Sequence, residues 1–174
     1  MESLKYIDEE DKAYGLAGMS VAAVIWDEIE AISSISLDDE DESSLEFASD
    51  YVYSAPAGIS VKNVWQHAFM HYRLCVRLLL SNVACRTMVR QRTDVPDKTV
   101  RMMKSMISEE GQRQCSLEND EAEMVFKKNY NDVCRIFNHS AVRQIADEFV
   151  ADLKECRRMT AADIIDRLGR LRMM

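Results

Sequence analysis

The sequence predicts an all-α protein, an irregular bundle of six or seven helices around one long central helix at about residues 61–92. The segment from Val61 to Arg92 contains no Gly or Pro and lies between Gly58 and Pro96, with apolar residues recurring at helical spacing. At about 1.5 Å per residue it would span roughly 45 Å, long enough for the post of a bundle. Glycine and proline are scarce, five and two in 174 residues, too few for the turns of an all-β domain.

The first helix is expected from about Glu10 to Ile35, with Leu16, Met19, Val21, Val24, Ile25, Ile29 and Ile32 on the 3.6-residue period. Gly15 and Gly18 either kink it or admit a neighbouring backbone. Residues 37–44, Leu37 to Ser44, form an acidic loop expected to be exposed and mobile, because its run of carboxylates cannot be buried unpaired. Ser43 and Glu46 have the spacing of a capping box, which would open a short helix from Ser44 to Tyr53. Residues 54–59, with Pro56 and Gly58, read as a connection.

Ser60 is placed to cap the central helix. Its apolar residues, among them Val64, Trp65, Tyr72, Val76, Leu79 and Val83, occupy more than one stripe, so neighbours are expected on several sides, with Val76, Leu79 and Val83 near the centre. After a break at Thr93–Asp97, Asp94 or Asp97 caps a helix to about Gln114, with Val100, Met103, Met106 and Ile107 inward. Ser116 would start the next, to Asn138, and Ser140 another, to Cys156. Thr160 and Asp163 form a capping box for the last helix, to about Leu171, with Ile164, Ile165 and Leu168 inward. Length alone suits one helical domain over residues 1–174.

Charge is unevenly spread. Residues 1–60 carry Lys5 and Lys12 against fifteen carboxylates, whereas residues 61–104 carry nine Lys and Arg against Asp94 and Asp97. The preferred reading is intramolecular: acidic elements pack beside the basic helix and neutralise it. The alternative is an anionic partner, with weak nucleic-acid binding through the basic 61–104 segment or the C-terminal helix pair. For the latter, Arg157, Arg158 and Met159 would form the turn of a helix-turn-helix and Arg167, Arg170 and Arg172 its second helix. Arg73 and Arg77 share one helix face and Arg86 and Arg90 another, which makes no continuous phosphate track, so nucleic acid is the weaker partner class.

The cysteines Cys75, Cys85, Cys115, Cys134 and Cys156 are odd in number and include no C-x-x-C pair. They suit free, mostly buried thiols in a reducing cytoplasm. The acidic first residues lack the pattern of a secretory leader, and the apolar run from Leu16 to Trp26 is too short for a membrane span, so a cytoplasmic location without membrane partners is expected.

Candidate chemistry is sparse. His67 and His71 lie four residues apart and share a helix face, and Cys75 continues the row. Together His67, His71 and Cys75 are the candidate ligands for a divalent transition metal, with Glu28, Glu46 or Asp50 available as a further ligand. Ala68 stands where a metalloprotease helix requires Glu. Val64, Ala68 and Ile136 stand three residues before His67, His71 and His139, where di-iron bundles require Glu. The preferred reading of the pair is structural, on a partly buried face with Val64, Leu74 and Leu78. Nucleophile elbows and glycine-rich phosphate loops are absent. No catalytic residue and no cofactor are therefore assigned. Eleven methionines, Met102, Met103, Met106, Met173 and Met174 among them, supply adaptable apolar surface. The function expected is non-enzymatic: a helical module that binds a protein partner or associates with itself as a homodimer, with the metal-binding bundle as the alternative.

Overall fold

The computed structural model describes residues 4–41, 43–53 and 60–173, with side chains at all of these except 52, 53 and 173. The predicted connection at 54–59 and Met174 lie outside the described residues. Among the described residues the protein is an all-α bundle of seven helices with a small three-stranded sheet at one side. The elements are α1 (Glu9–Ile25), β1 (Ile32–Ser36), β2 (Leu45–Phe47), α2 (Ser49–Tyr53), α3 (Val61–Ala84), α4 (Asp97–Cys115), α5 (Asn119–Asn138), α6 (Ser140–Cys156), β3 (Arg158–Thr160) and α7 (Ala161–Leu168). A π-helical turn, Cys85–Arg90, extends α3 without a break, so the long helix predicted at 61–92 is present to Arg90. A left-handed Arg92 ends it.

The most enclosed helix is α1. The Asp8 carboxylate caps it by accepting from the Asp11 N–H, and its buried residues include Leu16, Ala17, Val21, Ala22, Ala23 and Val24. Small side chains let it approach α3 closely, antiparallel, with Asp11 facing Arg86, Gly18 facing Ser81 and Trp26 facing Arg77. A Cβ on Gly18 would overlap the Ser81 carbonyl oxygen and lie 2.7 Å from Cys85 Cβ. Of the two roles open to these glycines, the close approach is the one the fold uses. In turn, α4 lies antiparallel on α3, with the Tyr72 hydroxyl donating to the Ile107 carbonyl and Trp65 Nε1 to the Cys115 carbonyl. On another side, α5 meets α3 through Arg77 and Asn129.

The sheet was not anticipated. Residues 32–36, expected in the first helix, form β1, which pairs antiparallel with both β2 and β3. A left-handed Asp27 stops α1 soon after Ile25. The i, i+3 spacing of Ile32 and Ile35 imitates a helix, but in a regular strand it would place them on opposite faces. A bulge between Ile32 and Ser34 adds the extra residue that turns both inward, and both are fully buried. The Ser43–Glu46 capping box is likewise corrected: Leu45–Phe47 is a strand, and the short helix begins at Ser49. Glu46 instead accepts from the Ser34 hydroxyl and Arg158.

The caps differ in detail. Pro96 rather than Asp94 or Asp97 holds the N-cap of α4. Ser116 is the left-handed end of α4, not the start of α5, and the Glu118–Glu121 capping box opens α5 three residues later. The Thr160–Asp163 box forms as predicted. Ser60 occupies the N-cap of α3 without a side-chain hydrogen bond. Leu79, expected at the centre, is only half-buried, whereas Val76, Leu80 and Val83 are buried. Helical phase accounts for this: Leu79 lies on the stripe that faces the edge of α4.

Candidate functional site

The basic face of α3 is neutralised from within. Arg86 donates through Nε and Nη2 to Asp11 Oδ2 at 2.9 and 2.5 Å, and to the Leu4 and Lys5 carbonyls. Arg90 pairs with Asp8 and with the other Asp11 oxygen at 2.9 Å. Asn82 donates to the Tyr6 hydroxyl, and the Arg86 guanidinium lies over the Tyr6 ring at 5.0 Å. Burial alone would raise the Asp11 carboxyl. Hydrogen bonds from Arg86 and the Ile7 N–H, the charge of Arg86 and a hydrogen bond from Arg90 outweigh it and hold the group below its ordinary range. The network straps residues 4–8 to the end of α3. A signal for it existed in the i, i+4 pair Arg86 and Arg90 and the i, i+3 pair Asp8 and Asp11, but nothing in the order of residues joins the two pairs.

The C-terminal arginines are also paired within the chain. Arg157 bonds Glu9 and Asp38, Arg158 bonds Glu46, Arg167 pairs with Asp152 and Arg172 with Asp27, while Arg170 bonds Glu148. The joint at Arg158–Thr160 is a strand in the sheet rather than the turn of a helix-turn-helix, which corrects that arrangement. In the acidic loop, Asp38, Glu40, Asp41 and Ser43 are exposed, Asp38 pairing with Arg157 and Asp41 with Lys12.

Of the three candidate metal ligands, the structure joins two directly. His71 Nε2 lies 3.5 Å from Cys75 Sγ, and its Nδ1 lies 3.4 Å from the Tyr51 hydroxyl. The Phe47 ring meets His71 edge-on at 5.6 Å, and His67 packs on Tyr51 with ring centroids 6.4 Å apart. Burial, then the neighbouring His67, depresses His71 below the ordinary imidazole value, so it is neutral at pH 7. Burial pushes the Cys75 thiol up to about 11, which disfavours the thiolate that a soft metal needs. Glu28 is engaged by Arg77 and Glu46 by Arg158. Among the described residues no three His, Cys, Asp or Glu side chains gather as a metal cage. The aromatic partners Phe47 and Tyr51 were missed in the sequence because they arrive from β2 and α2.

The remaining feature is apolar. Along α3, Val61, Val64, Trp65, Ala68, Tyr72, Cys75, Val76 and Leu79 share one stripe. Its far part is covered by α4, but α4 ends at Cys115, level with Trp65, and α3 runs on for another turn. Val61 and Val64 are left 87% and 56% exposed. Past Ala68 the stripe floors a groove in which Cys75, Leu79 and Met106 border two adjoining cavities of about 180 and 610 Å³. Met19, Leu45 and Phe47 line the larger one, and the N-terminal strap at Leu4 and Tyr6 closes its end. A second cleft, of about 400 Å³, opens on another side of α3, between Met70, Leu74, α2 and the turn after α1. Five free thiols are distributed through the bundle, Cys85 and Cys115 buried and Cys156 exposed. No helix among the described residues is long and apolar enough to cross a membrane. No known family model matches the chain, and a search of curated proteins finds no relative.

Proposed function

We propose that this chain is a non-enzymatic, self-associating helical module in which two copies pack their α3 stripes antiparallel about a two-fold axis. The observation that carries the reading is that the apolar stripe of α3 outruns its cover, leaving Val61 and Val64 exposed. Exposed apolar surface of this kind marks association sites more than ordinary surface does. A two-fold arrangement sets the Val61–Trp65 overhang of one copy across the Cys75, Leu79 and Met106 groove of the other, so each patch meets its complement twice. Helix-in-groove contacts are read through such i, i+3, i+4 and i+7 anchors. Met106 supplies the adaptable wall such a groove requires. Free thiols at all five cysteines fit work in a reducing compartment.

Sedimentation velocity over a hundredfold range of concentration tests the proposal. The wild type should pass from monomer to dimer, and Val64→Glu should stay monomeric at the same concentrations with an unchanged circular dichroism spectrum. A wild type that sediments as a monomer throughout overturns it.

A further inference from the structure

The larger cavity beside α3, of about 610 Å³, has an apolar body and one polar end. Met19, Leu45, Phe47 and Leu79 form its wall and are only partly buried by the rest of the core. At the strap end it is lined by Lys5, Tyr6 and Asn82. Its volume falls within the range of pockets that hold small ligands, which combine apolar walls with a few placed polar groups.

The polar end carries donors without acceptors. Asn82 is 8% exposed, and its Oδ1 accepts from Arg86 Nη1 at 3.4 Å, which fixes the orientation of the amide. One Nδ2 proton goes to the Tyr6 hydroxyl at 2.8 Å, and the other meets no acceptor among the described residues. The Tyr6 hydroxyl accepts that bond, and its own proton meets no acceptor among them either. Burial raises the phenol above its ordinary value, so the proton stays on the oxygen at neutral pH. The Lys5 ammonium, on an exposed side chain, forms no ion pair among the described residues. Asp41, the carboxylate that also lines the cavity, is held by Lys12 at 3.7 Å, and the Ser44 hydroxyl donates to the Asp41 carbonyl. Three donors, one of them charged, thus stand at one end of an apolar cavity with nothing to receive them. Unmet donors of this kind are costly, and an anionic acceptor forms the strongest bonds to them.

We infer that this cavity binds a medium-chain fatty acid, whose carboxylate accepts from the Tyr6 hydroxyl, the Asn82 amide and the Lys5 ammonium and whose alkyl chain lies along Met19, Leu78 and Leu79. A carboxylate is acceptor-only and offers two oxygens, so it meets these donors without bringing a proton of its own. Cys75, Leu79 and Met106 also border the adjoining cavity, which carries the apolar lining on to Tyr72. From Asn82 to Tyr72 the lining follows α3 for about 15 Å, the reach of an extended chain of medium length. The same Leu79 and Met106 would meet the second copy in the proposed dimer, so ligand and second copy exclude each other. The binding belongs to the single copy and does not rest on self-association.

The test is isothermal titration calorimetry at neutral pH with dodecanoate below its micelle concentration, on the full chain carrying Val64→Glu so that each copy is read alone. One dodecanoate per chain should bind saturably, and octanoate should bind roughly a hundredfold more weakly, at about threefold per methylene. Dodecyltrimethylammonium, the same chain with a cationic head, should not compete for the site. Tyr6→Phe should weaken binding roughly tenfold through the lost donor, and Lys5→Gln about threefold. Lys98→Gln, which removes an exposed cation from α4, should leave it unchanged. Leu79→Trp, which fills the cavity, should abolish it. Circular dichroism of each variant shows that the fold is retained, and the exposed Lys5 reads the head group without loosening the core. Absence of binding, uptake without saturation, competition by the cationic amphiphile or full binding by Leu79→Trp overturns the site. Equal weakening by Lys5→Gln and Lys98→Gln means attraction to net charge alone and overturns it as well. Failure of the dimer leaves all of these outcomes as they are.

Discussion

The two ends of α3 are built on opposite terms. From Tyr72 to Arg90 the helix is enclosed by α1, α4 and α5, most of its apolar residues are buried, and Arg86 and Arg90 are matched to carboxylates and carbonyls of the strap and α1. From Val61 to Met70 the same helix carries apolar residues into solvent. A uniform amphipathic pattern thus serves two purposes, set by how far the neighbouring helices reach. One end supplies stability, because every change there opens a cavity or strands a charge. The other contributes little to the fold of a single copy and is free to meet another surface.

Substitutions at the enclosed end should have the largest effects. Asp11→Ala leaves the Arg86 guanidinium buried without its anion and should cost about 3–5 kcal/mol in urea unfolding. The same network predicts acid sensitivity. The folded Asp11 carboxyl is held below its ordinary value of about 3.9, so its contribution is present in full above that pH and is lost as pH falls through the folded value. Stability of the wild type should therefore drop steeply below about pH 4, and Asp11→Asn should flatten that slope. An unchanged slope would separate Asp11 from the acid transition.

Leu80 and Leu79 sharpen the comparison one residue apart. Leu80 is fully buried and Leu79 borders the groove. Replacing Leu80 with Ala should cost about 2–5 kcal/mol and replacing Leu79 less than half as much. Equal costs would mean that the groove is closed in solution.

The His pair sits at the boundary between the two ends. His67→Ala/His71→Ala should cost about 1–2 kcal/mol, equally with and without chelator, through lost ring packing and hydrogen bonds. Because burial depresses His71, the unfolded chain takes up its proton first, and stability should decline as pH falls below about 6.5. That decline should be shallower in the variant. A chelator-dependent difference with copurifying metal would restore the metal reading. Last, Val64→Glu at the exposed end should change monomer stability by no more than about 0.5 kcal/mol.

The helices were legible where the signal is local. The Ser140–Cys156 helix and the Thr160–Asp163 capping box follow from periodicity and from side chains that reach their own backbone three residues away. The charge contrast between residues 1–60 and 61–104 was legible as neutralisation, because opposite charges in one short chain lower their energy by meeting. Partner choice was not: Arg86 finds Asp11 and His71 finds Tyr51 through contacts 75 and 20 residues apart.

The order of residues by itself determined the helical class, the long α3 and the free, scattered thiols, since each depends on spacing or count. Only the tertiary structure decided the sheet and the groove. Ile32 and Ile35 read as helical until a bulge and a pairing strand at Arg158–Thr160 place both inward. Val64 and Val76 belong to one stripe and differ in exposure because α4 covers the second and stops short of the first. Periodicity records which side of a helix is apolar, and the length and position of its neighbours decide how much of that side is covered.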